Sequence, residues 1–441
     1  MVIVVAWVVE RLPVWRKVFY GWWVLLACTT IHILGAGLFF YGFSVFFHPI
    51  ILEFGWSSAV MAGAFSLSRL EGGFEGPFVG RLVDRFGARK LLLVGLAITG
   101  TFFILMSRIG SVLTMYAVYG LLSLGYNIGY THAMTAAVAN WFVKKRSRAM
   151  SIYTLGAGIG GAIVVPLLAR LIFQVGWRAA SVITGLSLWI IGFPLAIIIR
   201  HRPEDRGLHP DGEPIELDQE IDEATTSDES RERVELTEGE VSFTAREAVK
   251  MSSFWVFVLA MIFRATLLSS LVVHQIPHLV SIGIPEQTAS DILGLMVLMS
   301  IPGRIVFGWA GDYYPKKILI AISMFMQCVG IFFLSNARGI EFIYLFDIIY
   351  GIGYGGAIPL TAAYRGDLFG RRYYATISGL MSPVWMIGGI AGPIFAGYIY
   401  DINQSYKFAL DTFTVLALLG AITILFVKKP KPPPRLTHTH F

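Results

Sequence analysis

The chain has 441 residues, of which 55% are hydrophobic and 15% charged, and its mean hydropathy is +0.66. Soluble domains carry about 25% charge, and a water-soluble chain this apolar would expose large patches and aggregate, so the composition points to a polytopic membrane protein. The net charge of +6 is no nucleic-acid signal, because the basic residues sit in short clusters between apolar runs, the pattern that sets membrane topology.

A spanning helix needs about 20 apolar residues. Residues 1–17 are too brief to span and read as an interfacial lead-in. The first six predicted helices run over 20–47, 57–79, 91–106, 113–138, 149–173 and 179–199. None shows the ten-residue alternation of a membrane β-barrel strand. Arg81, Arg85, Arg89 and Lys90 follow the second helix, and Lys144, Lys145, Arg146 and Arg148 follow the fourth. The odd-numbered connections carry only Glu53, Arg108, Arg170 and Arg178. Even-numbered connections are therefore expected on the cytoplasmic side, with both termini inside.

Residues 200–250 are the longest charged stretch of the chain and are predicted to form a cytoplasmic connection. Its early part is turn-rich, its acidic centre is expected to be loosely ordered, and residues 243–250 have the two-sided pattern of a short surface helix. Six more helices follow at 254–277, 293–309, 318–334, 342–362, 375–400 and 408–427, with basic clusters at Lys316 and Lys317, at Arg365, Arg371 and Arg372, and in the tail. The expected architecture is an all-α membrane protein of twelve transmembrane helices in two six-helix bundles, divided 1–199, 200–250 and 251–441. Cys28 and Cys328 lie inside apolar runs and read as small buried hydrophobes.

The halves repeat a local pattern. Gly80 stands four residues before Asp84, with Arg85, Arg89 and Lys90 following; Gly308 stands four before Asp312, with Lys316 and Lys317 following. Each copy ends the second helix of its half. Glycine lets helices approach closely, and the aspartate can cap a helix or pair with a basic residue across the interface. Gly80, Asp84, Arg85, Arg89, Gly308 and Asp312 are thus expected to couple the halves during movement.

Polar residues inside apolar helices mark cavities or partners. They include Arg69, Glu71 and Glu75, then His132, Arg264, His274, Arg304 and Asp347. Arg304 lies just after a Pro-Gly break, where its guanidinium suits a carboxylate in bidentate geometry; the competing readings pair it with Asp347 or let it snorkel to the headgroups. Arg264 is read either as a pocket residue or as snorkelling. Imidazole as a side-chain type changes charge near neutrality, so His132 and His274 are read as proton carriers or as packed, hydrogen-bonded rings. Glu71 and Glu75, spaced i,i+4, form an internal network or take part in proton chemistry. Tyr119, Asn127, Tyr130, Tyr350 and Tyr354 complete the expected substrate pocket, as phenols and amides that donate to a carboxylate from an apolar wall. The glycine-rich runs at 155–161, 351–356 and 386–393 are packing surfaces rather than phosphate loops, since no strand precedes them and no Lys-Ser/Thr pair follows. No cofactor or metal is expected.

The repeated Gly-Asp motif, the entry YGWWV at 20–24 and the run NWFVKKRSRAMSIYTLGAGIGG at 140–161 resemble the major facilitator superfamily, and within it the monocarboxylate transporter and oxalate–formate antiporter group. The resemblance covers residues 20–427. It implies the major facilitator fold and a transporter, not an enzyme, that moves small organic anions by alternating access, in symport with protons or by exchange. It makes Arg304, with Gly308 four residues on, the anion- and proton-coupling residue; His132, His274, Asp347 and Glu71 are further proton candidates on the reading of the residues themselves. Ser300 stands where eukaryotic members carry an aspartate, and the eleventh helix lacks the lysine of the oxalate exchangers. A single deep arginine suits a monoanion, so the expectation is proton-coupled monocarboxylate transport by a monomer in a bacterial inner membrane. Export of another organic solute or a lipophilic compound is the alternative.

Overall fold

The computed structural model describes residues 18–56, 58–212 and 241–430, and every regular element in it is helical. The interfacial lead-in, the acidic centre of the bridge and the end of the basic tail lie outside the described residues. The helices are α1 (Tyr20–Gly35), α2 (Phe43–Phe54), α3 (Ser58–Phe86), α4 (Ala88–Met106), α5 (Val112–Trp141), α6 (Arg146–Ile159), α7 (Val165–Ile198), α8 (Ala245–Lys250), α9 (Ser252–Ser281), α10 (Glu286–Ala310), α11 (Lys316–Ser335), α12 (Ile340–Phe369), α13 (Tyr374–Asn403) and α14 (Lys407–Leu425). Among the described residues ten helical stretches are long and apolar enough to cross a bilayer. The protein is a multi-pass membrane protein of the all-α class.

Two predicted connections are shorter than the sequence suggests. The basic connection after the second predicted helix shrinks to Gly87 alone, because α3 continues to Phe86 and α4 begins at Ala88. Gly87 has φ 86°, a turn that only glycine makes without strain. The motif residues Gly80, Asp84 and Arg85 therefore lie on the last turns of a helix. The predicted gap between 173 and 179 is a break at Gly176, φ 78°, inside α7. The helix of the bridge is shorter than its predicted 243–250: it begins at Ala245, behind a Thr244 cap that bonds the Glu247 N–H while Glu247 bonds back.

Charge is costly to bury in lipid and apolar side chains are not, and these helices expose large hydrophobics such as Phe78, Phe173, Ile190 and Val306. The buried apolar residues form three clusters. One is drawn from residues 24–199, with Ala363, Tyr374 and Ala375 joining it from the second half. The other two are drawn from residues 243–427. Short π-helical turns at Ala36–Phe40, Asn127–Ala133 and Gly160–Val164 interrupt the first half, and such bulges gather at functional sites.

The halves touch through two equivalent pairs, α3 against α13 and α6 against α10. At each contact a glycine removes the side chain that would hold the backbones apart. A Cβ on Gly379 would sit 1.9 Å from the Gly76 carbonyl oxygen, one on Gly80 2.2 Å from that of Ala375, and one on Gly308 2.3 Å from Ser151 Cβ. A Gly379→Val variant is expected to lose about 1–3 kcal/mol of stability through overpacking. Gly389→Val, on the same helix with nothing within 4 Å, is expected to melt with the wild type. Thermal unfolding of the two purified variants side by side checks this.

Candidate functional site

Arg304 sits on α10 where it crosses α6, and only 3% of its surface is exposed. One guanidinium nitrogen donates to the Thr154 carbonyl oxygen, and the Ser151 hydroxyl donates to the Arg304 carbonyl at 2.5 Å. Its Nε is buried with no partner among the described residues. The expected alternative pairing with Asp347 is absent: Asp347 lies buried on α12 and accepts from Gln275 Nε2 at 3.4 Å. Snorkelling is excluded by the burial. Taking a guanidinium out of water with no carboxylate beside it costs several kcal/mol.

A second guanidinium joins it. Arg264 on α9 lies close enough to Arg304 and Tyr350 to interact with both electrostatically, and its Cζ is 5.8 Å from the centroid of the Tyr354 ring. Its Nε and one terminal nitrogen are buried without partners among the described residues. Arg264 thus stands beside Arg304, where the sequence suggested a single deep arginine. Tyr350 and Tyr354 stack with centroids 6.3 Å apart, and the buried Tyr350 hydroxyl has no partner among the described residues. Across the interface, His32 interacts with the Arg304 charge, stacks on Tyr153 at 4.4 Å and meets the Tyr153 carbonyl through Nδ1 at 3.0 Å. Arg304, Arg264, Tyr350, Tyr354 and His32 thus form one polar cluster rich in donors and, among its hydrogen-bonding side chains, free of carboxylates.

The other sequence candidates fall elsewhere. Tyr119 packs against Phe39 at 5.5 Å and Phe43 at 4.6 Å, inside the apolar core of the first half and not beside Arg304. Tyr130 stacks on Tyr126 at 4.9 Å and is 1% exposed. Asn127 lies against α3, where a Cβ on Gly72 would meet its Nδ2 at 3.1 Å, and it faces Glu75, while Glu71 faces Ser123. These residues belong to a separate polar network within the first half. Arg69 has no described side chain. His274 is held by the Tyr406 hydroxyl at 3.2 Å and the Pro393 carbonyl at 3.0 Å, the packed arrangement of its two readings. His132 is buried on α5 beside Arg365.

At the end carrying the basic connections, the two motif aspartates make matching contacts. Asp84 accepts from the backbone N–H groups of Ala375 and Thr376 at 3.3 and 2.7 Å. Asp312 accepts from those of Ser147 and Arg148 at 3.0 and 3.3 Å. In each case the carboxylate reaches the second and third residues of a helix in the opposite half, where unsatisfied N–H groups and the helix dipole favour negative charge. Arg148 Nε also lies 3.3 Å from Asp312. Arg85 turns outward over the Phe86 ring at 5.4 Å, and Arg89 lies near Arg200 and Tyr20, so neither reaches across. Further ties cross at this end: Arg146 to Asp367 at 2.9 Å, a carboxylate that Lys316 of the same half also holds at 2.6 Å, and Arg371 to Glu204 of the bridge and to the Asn140 carbonyl. Asp211 in the bridge accepts from the N–H groups of Val143, Lys144 and Lys145. Burial drives the His201 pKa down to about 3, so the ring is neutral and its Nδ1 accepts from the Ala88 N–H at 3.2 Å.

The family profile of the Major Facilitator Superfamily matches residues 25–281 and 265–440, nearly the whole chain. The protein belongs to that superfamily. As a member it is a transporter of small solutes that works by alternating access, and it is not an enzyme. Among its relatives, "Monocarboxylate transporter 12-B" of Danio rerio is 25% identical over 423 residues, covering 92% of this chain and 86% of the relative. The "Oxalate:formate antiporter" of Oxalobacter formigenes is 25% identical over 412 residues, covering 89% and 91%. The solved structure of the proton:xylose symporter XylE superposes with a TM-score of 0.68 at 12% identity, over 94% of this chain and 97% of that one, a likeness of fold alone.

In this superfamily member, sequence reasoning singled out Arg304, Arg264, Tyr350 and Tyr354 one by one, and the fold brings them together. It did not assign Thr154, Ser151 or Tyr153 to the site, although all three stand in the run 140–161. They act through small hydroxyls and backbone carbonyls, which leave no charge signal. Arg365, read as part of a surface connection, is buried within α12 instead.

Proposed function

We propose that the protein carries small organic anions, short carboxylates of the lactate and pyruvate type foremost, across the membrane in symport with protons. The observation that carries this reading is Arg304: a buried guanidinium at the interface of the halves, with a carbonyl contact but no carboxylate. The relatives named for monocarboxylate and for oxalate:formate transport support the substrate class. The neighbouring Arg264 makes a two-carboxylate anion a fitting second occupant.

In the proposed architecture twelve spans form halves 1–199 and 251–441, joined by the cytoplasmic bridge 200–250, with the break at Gly176 separating the fifth and sixth spans. The working unit is a monomer in a bacterial inner membrane with both termini inside. The basic end is then cytoplasmic, and its closure by Asp84 and Asp312 makes this the outward-facing arrangement. An anion from outside neutralises Arg304, the halves close over it, and the aspartate clasps part to open the inner side. Glu71, Asp347, His132 and His274 are the titratable groups available for the proton.

The test is uptake of labelled lactate, pyruvate, formate and oxalate into proteoliposomes with an imposed inside-alkaline gradient. Accumulation above the equilibrium level, abolished by a protonophore, is the expected result. Uptake of an anion that ignores the gradient removes proton symport and leaves exchange.

A further inference from the structure

Toward the basic end from the Arg304 cluster the structure holds another buried guanidinium with no carboxylate partner among the described residues. Arg365 is 7% exposed and makes no hydrogen bond or ion pair with any described residue; its Nε is buried and unpartnered. It lies between two aromatic faces, with Cζ 5.0 Å from the Trp385 ring centroid and 5.6 Å from that of Tyr374. Cation–π contact holds the charge in place but occupies none of its N–H groups. Trp385 Nε1 is itself buried and unpartnered. His132, from the opposite half, lies near enough to interact with Arg365 and has no hydrogen bond to a described residue. Two buried donors, Arg365 Nε on α12 and Trp385 Nε1 on α13, thus stand without an acceptor among the described residues, with the His132 imidazole of α5 beside the guanidinium. Buried polar groups are nearly always paired, so this set of donors suits an anion.

The position gives that anion a role. Arg365 comes eleven residues after Tyr354, which on a helix of 3.6 residues per turn returns it to within about 20° of the same face, roughly 16 Å further toward the basic end. It therefore shares the face of α12 that carries Tyr350 and Tyr354.

We propose that Arg365, Trp385 and His132 form a second anion-binding station, which takes the transported carboxylate after it leaves Arg304 and before it reaches the cytoplasm. The choice of a carboxylate rests on the anion-transport reading above; the convergence of donors does not. Two stations along one path let an anion leave a strong central site by steps, because each transfer exchanges one set of donors for another rather than for bare apolar wall.

The experiment measures exchange of labelled pyruvate and labelled oxalate in proteoliposomes and reads the maximal rate and the outside half-saturation concentration separately. R365M keeps apolar bulk between the rings and removes the charge; it is expected to lower the maximal rate at least tenfold with the outside half-saturation unchanged within twofold. R365K is expected to recover most of the rate. W385F keeps the aromatic face and deletes only the N–H, so it tests the station with little disturbance of packing; a fall of about fivefold in rate is expected. Wild-type rates in both R365M and W385F overturn the station. So does a tenfold rise in outside half-saturation, which would place Arg365 in the central site. If R365M fails to fold, W385F decides alone by the same criterion. A wild type that moves neither anion removes the transport reading and the station with it.

Discussion

Arg304→Gln is expected to abolish saturable anion uptake while the protein remains folded and monodisperse. The side chain is buried, donates to the Thr154 carbonyl and has no carboxylate to release when it is changed. Removing one member of a buried charged pair costs about 2–5 kcal/mol, which at 1.4 kcal/mol per decade is a loss of affinity of about thirtyfold or more. Folding should suffer little, because the wild type already bears the expense of the unpaired charge and the glutamine amide can keep the Thr154 contact. Arg304→Lys keeps the charge but loses the planar fork, so partial uptake with weakened affinity is expected. Initial-rate uptake by matched amounts of reconstituted protein measures both. Undiminished uptake by Arg304→Gln would take the residue out of the site.

The second large effect concerns the clasp at the basic end. Asp84 and Asp312 each accept two backbone N–H groups from a helix of the other half. Hydrogen bonds to a charged group contribute about 1.5–3 kcal/mol, and asparagine keeps one acceptor while losing the charge. Each Asp→Asn change should cost the closed arrangement roughly 1–2 kcal/mol, and the two should add because their contacts are separate. The double variant is then expected to shift the balance toward the form open at the basic end by about thirtyfold or more. Spin labels at R81C and Y314C report this, since both positions are exposed and lie on opposite halves, while Cys28 and Cys328 are buried. A longer, broader distance distribution in the double variant is expected. A distribution identical to wild type would mean that the clasps do not govern the equilibrium.

Much of the fold was legible because membrane helices announce themselves by apolar length, and the Gly-Asp repeat announced the pairing of the halves. Boundaries were less legible. Arg81, Arg85, Arg89 and Lys90 look like a loop because basic residues flank membranes, yet the chain turns on Gly87 alone and the charges sit on helix ends. The same habit hid Arg365: a basic residue near a helix terminus reads as topology, and only the length of α12 and the packing of α13 show it buried. Tyr119 and Asn127 were placed with the pocket because polar and aromatic residues crowd α5, but helix rotation decides which face each takes, and a span apolar all round carries no periodic signal of its rotation. Arg264 read equally well as snorkelling until Tyr354 and Arg304 were seen beside it.

Ligand-dependent thermal stability of the purified protein tests anion binding at Arg304 most directly. Anything that binds the folded form raises its melting temperature by mass action. Pyruvate or oxalate in the millimolar range is expected to stabilise the wild type in a saturable manner and to leave Arg304→Gln unmoved. Equal stabilisation of both proteins, or of neither alongside stabilisation by a lipophilic cation, would contradict it.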